Sequence, residues 1–414
     1  MNATKFSRRW ILQSSLLTAP VLSNVAYLDL SAEESSTKKK IAALVTIYRY
    51  NSHADVILGK ILEGWKQDGG VGPNLELVSL YVDQFPADDM SRKLAEKHGF
   101  RLCSTIEEAL TFGGNQLVVD GVISIGEHGD YPWNEKGQHL YPRRRFFAAI
   151  ADTFEKCGRV VPVFNDKHPG PEWADALWMY ERARELSIPW MAGSSLPVSY
   201  RQPDQNLGWQ DDVSACVAIG YSGLDIYGFH TLDFMQCLLE RRQGGERGVA
   251  SVQSLPTSKI EEFLQQGFID TKLLDEALAV TGGDRTEMIK NPPADGALFV
   301  IQYRDGLKVP VLMLPGIAKG IGTALRTRSG QVIATRAEER PDPRHPHFAF
   351  LLKGIERMFH TGHPTYPVER SLLTAGILDR LLTSRFQQGR RLETPELAIE
   401  YKPVDYSYAP HIEL

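Results

Sequence analysis

IAALVTIYRYNSHADVILGKIL, residues 41–62, joins an apolar run to a short polar break and then to a helical pattern. Ile41–Tyr48 is rich in strand formers, and Ala54–Gln67 spaces Ile57, Leu58, Ile61 and Trp65 along one helical face. A strand, a tight turn and a helix in this order open a nucleotide-binding α/β domain, usually through a glycine-rich turn. Here the turn, Tyr48 to Ser52, has no glycine. The opening of the fold and its expected phosphate cradle therefore disagree.

Reading onward, the same rhythm repeats. Leu75–Val82 is a strand ending at Asp83, and Asp88–His98 a helix stopped by Gly99. Arg101–Ser104 is a short strand, and Thr105–Phe112 a helix with acids in its first turn. Val118–Ile125, Val160–Phe164 and Pro189–Ala192 are strands separated by helices at Arg143–Cys157 and Trp173–Leu186. The strands are continuous apolar runs, as burial on both faces requires, so residues 41–200 predict a parallel, Rossmann-like sheet. After about Gln202 the rhythm changes. Asp212–Gly220, Val249–Leu255, Ala297–Tyr303, Val309–Leu314 and Val332–Arg336 read as strands of an open, mostly antiparallel sheet, with a helix at His230–Arg242. Residues 201–414 thus predict an α+β domain for substrate binding or oligomerisation. Helices at Phe348–Phe359 and Val368–Gln388 bring the chain back, and Leu397–Tyr401 is read as a last strand.

Before Ile41 the chain is different. Ser7-Arg8-Arg9-Trp10-Ile11-Leu12-Gln13 precedes a weakly apolar stretch to about Leu30, resembling a twin-arginine export signal over residues 1–30. Residues 31–40 read as a polar linker. The implied location is periplasmic or otherwise exported, and the stretch is no convincing membrane span. A net charge of -5 over 414 residues, without a basic block after residue 40, argues against nucleic acid as a partner. Cys103, Cys157, Cys216 and Cys237 form no CxxC pair, so free thiols are expected rather than a zinc site or disulfide framework.

Ligands of open parallel sheets bind outside the carboxyl ends of the strands. Two loops there are rich in ionisable groups: Gly126-Glu127-His128-Gly129-Asp130-Tyr131 and Asn165-Asp166-Lys167-His168-Pro169. A lysine set among acids and histidines at such an edge can donate to a substrate oxygen. Further on, His230 and Asp233 stand one helical turn apart, and His230 is a fitting general acid or base. Lys167, His230 and Asp166 are the catalytic candidates, and His128, Asp130, Tyr131, His168 and Asp233 the substrate-binding ones.

The chain from about Lys40 resembles the glucose–fructose oxidoreductase/inositol dehydrogenase/MocA superfamily. The resemblance runs through Ala95-Glu96-Lys97-His98-Gly99-Phe100 and Ser104–Leu110, through Asn165–Pro169, and through Gly228-Phe229-His230-Thr231-Leu232-Asp233 with Val249–Val252. It implies a Rossmann domain followed by an α+β domain, a sugar or polyol substrate, and NAD or NADP as cofactor. It also places Lys167 and His230 on the catalytic lysine and histidine, with a homo-oligomer compatible. By the same analogy Arg49, Asn51, Ser52, Asp83 and Glu127 are the cofactor-binding candidates, with Arg49 and the free N–H groups near Ser52 facing phosphate and Asp83 a ribose hydroxyl. The chain departs from the family pattern in lacking Gly-x-Gly-x-x-Gly, in having Ile226 four residues before His230, and in placing His168 between Lys167 and the proline. Those departures leave two other readings open. One is a cofactor-free or metal-assisted lyase or hydrolase on modified sugars, using ligands among Glu127, His128, Asp130, Asp166, His168 and His230, although their spacing assigns no metal site. The other is a non-catalytic carbohydrate-binding protein.

Overall fold

The structure, a computed structural model, describes residues 37–414; the segment read as an export signal lies outside them. Lys38–Leu414 forms one compact unit built on two sheets. The first sheet is parallel and comprises β1 (Lys39–Val45), β2 (Leu75–Val82), β3 (Arg101–Cys103), β4 (Gly121–Ile125), β5 (Val163–Asp166) and β6 (Trp190–Gly193), in the order β3-β2-β1-β4-β5-β6. The chain reverses direction across this sheet between β1 and β4, and that pair defines the switch point. β1 starts at Lys39, two residues inside the stretch read as linker, because Lys39 and Lys40 already pair with Leu75 and Glu76.

Alternation along β1 sorts the helices onto the two faces. Ile41, Ala43 and Val45 pack with α1 (His53–Glu63) and with α10 (Pro346–Thr361), while α2 (Ser91–His98) leans on the same cluster. Ala42 and Leu44 face α3 (Ile106–Thr111), α4 (Arg143–Cys157) and α5 (Trp173–Glu185). α10 therefore returns from late in the chain to seal the first sheet. Gly121 on β4 permits this, since a Cβ there would lie 2.8 Å from the Phe359 ring.

The second sheet contains β7 (Tyr200–Gln202), β8 (Val213–Gly220), β9 (Val249–Leu255), β10 (Ala297–Tyr303), β11 (Lys308–Met313), β12 (Gly322–Thr327), β13 (Val332–Glu338) and β14 (Leu392–Glu393). Its order is β14-β9-β10-β11-β8-β12-β13-β7, antiparallel throughout except at β11 and β8. One face packs on α6 (Ile226–Leu239) and α11 (Glu369–Phe386), the other chiefly on α8 (Thr271–Thr281), with α7 (Ile260–Gln265) and α9 (Arg285–Lys290) beside it.

Two sequence readings are corrected. Leu397–Tyr401 is not a strand: Pro395 opens a 3-10 turn ending at Leu397, Tyr401 makes a single bridge to Glu246, and the last strand is Leu392–Glu393. β12 went unread because Gly320 and Gly322 break its apolar pattern at the start. The four cysteines are free, with Cys157 part-exposed and the others buried. Among the described residues no helix is long and apolar enough to cross a membrane.

Candidate functional site

β5 ends on Asp166, and the next residue turns sharply. Lys167 has φ +64, and its amide donates to Gly193 O at the end of β6 (3.0 Å). Gly193 suits that close approach, having φ +141 with Ser371 Oγ 2.9 Å from where a Cβ would stand. A lysine in the left-handed region carries backbone strain, which concentrates at functional positions. Four of the ten non-glycine residues with positive φ among the described residues, Asn51, His128, Lys167 and His345, line one cavity of about 380 Å³. That volume suits a small molecule.

The Lys167 side chain is buried in the cavity wall and meets three acceptors. Its Nζ is 3.2 Å from Nε2 of His53, 3.2 Å from Nε2 of His230 and 3.4 Å from Oε1 of Glu127. These contacts set the imidazole tautomers. His53 presents Nδ1–H to Asp166 Oδ2 at 2.7 Å, and His230 presents Nδ1–H to Ser194 Oγ at 2.6 Å. Both Nε2 lone pairs then point at the ammonium. Burial, reinforced by the Lys167 charge, holds the His230 imidazole well below its usual range, so it stands neutral as a base.

Two buried cations and two buried anions balance one another here. Arg143, at the start of α4, donates to Glu127 Oε2 (2.9 Å), to Gly126 O (3.0 Å) and to Nε2 of His168 (3.1 Å). Burial opposes the charges on Glu127 and Asp166. Lys167 and Arg143 outweigh it for Glu127, and chiefly His53 does so for Asp166, so both carboxyls titrate below their usual range. His168 gives Nδ1–H to Gly170 O and is kept neutral by burial and by Arg143.

The structure thus brings Lys167, His230, Asp166, Glu127 and His128 together and leaves other sequence candidates apart. His128 lines the cavity, its imidazole lowered to about 4 chiefly by burial. Asp130 faces solvent, held by paired hydrogen bonds between its backbone and the Gln84 amide. His168 and Asp233 sit behind the wall, with Asp233 Oδ2 accepting from the Ser194 amide (2.9 Å) and so positioning the serine that His230 touches. Asp225 accepts from His139 N, and burial raises its carboxyl to about 6. Sequence reasoning missed His53 and Arg143. A lone histidine in the first turn after a glycine-free loop was the available signal for His53. For Arg143 there was none among the arginines Arg143–Arg145. Among the described residues no set of His, Cys, Asp and Glu is arranged to hold a metal ion.

The turn that opened the question is closed by its own side chains. Ser52 Oγ caps α1, the Asp55 carboxylate accepts from Asn51 N (2.8 Å), and Arg344 binds both Asn51 Oδ1 (2.9 Å) and Asp55 Oδ2 (2.6 Å). Tyr48 is buried, and Arg49 is tied through its backbone to Ser52. At the switch point Thr46 Oγ1 donates to Glu127 O (2.5 Å), bridging β1 and β4. Asp83 takes hydrogen bonds from Tyr81, Tyr131 and Arg145, each at 2.6 Å, which hold its carboxyl low against the effect of burial. The nicotinamide dinucleotide implied by the family resemblance does not fit this arrangement. An acid occupies the phosphate end of α1, and Asp83, the ribose-contact candidate, is already engaged by two tyrosines and an arginine.

No family model and no curated protein matches the sequence. Solved structures do. GenD2 from gentamicin A biosynthesis, in complex with NAD, matches with a TM-score of 0.56 at 12% identity, covering 86% of this chain and 97% of that one. A putative myo-inositol dehydrogenase from Sinorhizobium meliloti (TM-score 0.53, 13% identity) matches 86% of this chain and 99% of its own. A myo-inositol dehydrogenase from Corynebacterium glutamicum (TM-score 0.54, 13% identity) matches 86% and 98%. The likeness is one of fold: the Lys38–Leu414 unit shares the two-sheet fold of these three solved structures.

Proposed function

We propose that this protein is an enzyme acting on a sugar, polyol or related polyhydroxylated small molecule, moving a proton at a hydroxyl or at the carbon beside it. The observation that carries this reading is the Lys167 ammonium held 3.2 Å from the Nε2 atoms of both His53 and His230 in one cavity wall. A substrate oxygen placed at Lys167 receives hydrogen bonds from a fixed cation. The Nε2 lone pair of His230 is available for the proton, and the neutral imidazole is the base. The fold shared with myo-inositol dehydrogenases supports the substrate class. It also favours a second reading, an oxidoreductase transferring hydride in the same cavity.

The test supplies the purified protein with polyols, aldoses, ketoses and uronic acids, with and without NAD or NADP, and follows turnover by proton NMR and nicotinamide absorbance. Turnover of at least one compound is expected, falling about 10²- to 10⁴-fold in Lys167→Met and His230→Asn variants. Undiminished turnover in both variants, or none by the folded protein, sinks the proposal. Export through the twin-arginine route is part of the same proposal and rests on Ser7–Gln13. Replacing Arg8 and Arg9 by lysine in the full chain is expected to retain the protein in the cytoplasm.

A further inference from the structure

Among the described residues the cavity holds a pair of imidazoles, while the start of α1 and Asp83, where the phosphate and ribose of a hydride-accepting cofactor would be held, are engaged by protein groups. From this, and resting on the acid–base reading above, we infer that the reaction is redox-neutral: a cofactor-free isomerisation or epimerisation of a sugar carrying a carbonyl beside a hydroxyl-bearing carbon.

Three observations meet in this inference. First, the crevice at the β1/β4 switch point, where a dinucleotide lies across such a sheet, is crossed by the Thr46–Glu127 hydrogen bond. The loop after β4 is fastened to the loop after β2 as well, through Tyr131 on Asp83 and Asp130 on Gln84. Second, the segment leading into α10 is latched over the start of α1. Besides Arg344 on Asp55, the buried Lys60 donates from Nζ to Arg344 O (2.6 Å), and the Arg344 guanidinium covers the Tyr50 ring. Third, His53 stands on the first turn of α1, backed by Asp166, and puts a second imidazole on Lys167. The space a cofactor needs is thus taken by protein groups, one of which is a proton carrier.

The two imidazoles are backed differently. His230 leans on a hydroxyl and is neutral, whereas His53 leans on a carboxylate that can hold the charge of an imidazolium. With a substrate carbonyl oxygen at Lys167, His230 Nε2 takes the proton from the neighbouring carbon. The C–H electron pair becomes the carbon–carbon double bond of an enolate, whose oxygen carries the charge against the ammonium. The proton held between Lys167 Nζ and His53 Nε2 is then delivered to the same carbon, which re-forms the original carbonyl in the epimer, or to the former carbonyl carbon while the neighbouring hydroxyl proton passes to the enolate oxygen, which leaves the carbonyl at the neighbouring position. The proton on His230 passes into its place through Lys167, which touches both rings. Nothing is oxidised or reduced overall.

The experiment has two arms. Native protein is heat-denatured and the supernatant analysed for NAD(H) and NADP(H), and intact protein is titrated with each nucleotide by calorimetry. No released nucleotide and no binding heat are expected. Nucleotide-free protein is then incubated in D₂O with ketoses, aldoses and uronic acids, and carbon-bound deuterium is read by NMR. Deuterium incorporation is expected in at least one of them, lost at least 100-fold in His230→Asn. In His53→Asn incorporation is retained while the isomerised product falls by a similar factor, a split that a purely structural His53 would not produce. Tight nucleotide binding, or no deuterium incorporation without nucleotide, overturns this inference. If turnover then appears once nucleotide is added, the acid–base proposal stands and only redox neutrality falls. If no turnover appears under either condition, both fall.

Discussion

At the scale of single residues the buried charges are the most exposed to test. Arg143 is 1% accessible and serves Glu127, His168 and a backbone carbonyl at once. Arg143→Met strands a carboxylate in the interior, and removing one partner of such a pair costs about 3–5 kcal/mol. Urea unfolding is expected to show that loss, with much of it recovered in the double variant carrying Glu127→Gln. The site also fixes the sign of the pH dependence. His230 and His168 have folded pKa values depressed below the ordinary ~6.5, so the unfolded chain binds more protons as pH falls past that value. Glu127 and Asp166 are depressed too, and their contribution is present above the ordinary carboxylate range near 4 and lost below it. Both terms have the same direction: the urea midpoint is expected to fall from about pH 6.5 downward and more steeply below about pH 4. Asp225 and Asp233, both raised to about 6 by burial, contribute in the opposite direction. The check is therefore made in the Asp225→Asn/Asp233→Asn variant, where a flat midpoint from pH 7 to 5 would contradict the buried neutral histidines. Lys167 was legible because it stands in a charged loop at a strand end, and His230 because Asp233 follows it one helical turn later, although α6 begins at Ile226 and not at His230 as the sequence suggested. His53 was not, because its role depends on Asp166 and Lys167 arriving from β5, and no local pattern reports that.

At the scale of elements, the length and apolar content of the strands decided most of the fold. β2, β9 and β10 fall on their sequence-read bounds, as does α4 with Gly158 as its left-handed cap. The loop between β1 and α1 was read less completely. Its lack of glycine was visible, but its replacement for a phosphate cradle lies nearly 300 residues away in Arg344, a long-range partner that no window of sequence shows. Asp55 joins the two, being 4% accessible, capping Asn51 and receiving Arg344. Asp55→Asn removes the charge from both contacts and is expected to cost about 1–2 kcal/mol, the range of a lost cap and a charged hydrogen bond. Hydrogen exchange is the discriminating readout: amides at the start of α1 are expected to exchange faster, while those of β9 and β10 are unchanged. Equal loosening in both places would show that the contact supports the whole molecule rather than the latch.

At the scale of the whole molecule, the two sheets are joined by helices that change sides. α10 buries Phe350, Leu351, Leu352, Ile355 and Met358 in the cluster of the parallel sheet, and after a short connection α11 buries Leu372, Leu373, Ile377 and Leu381 against the antiparallel one. Trp173 on α5 shares that second cluster, so the first sheet's own helix touches the second sheet's core. The two sheets are therefore interleaved along the chain, with the late helix α10 sealing the first sheet and α11 the second. Interleaving of this kind predicts a single cooperative unfolding transition, with calorimetric and van't Hoff enthalpies in agreement. Gly121 gives the means to challenge it, because a larger side chain there must push the Phe359 ring, and with it α10, off the sheet. Gly121→Val is expected to lower stability by about 1–3 kcal/mol as overpacking does. If α10 couples the two sheets, the transition keeps its single step and shifts to lower temperature as a whole. A split into two transitions, with the antiparallel sheet melting where the wild type does, would show that α11 and α5 do not carry the coupling and that the two halves fold apart.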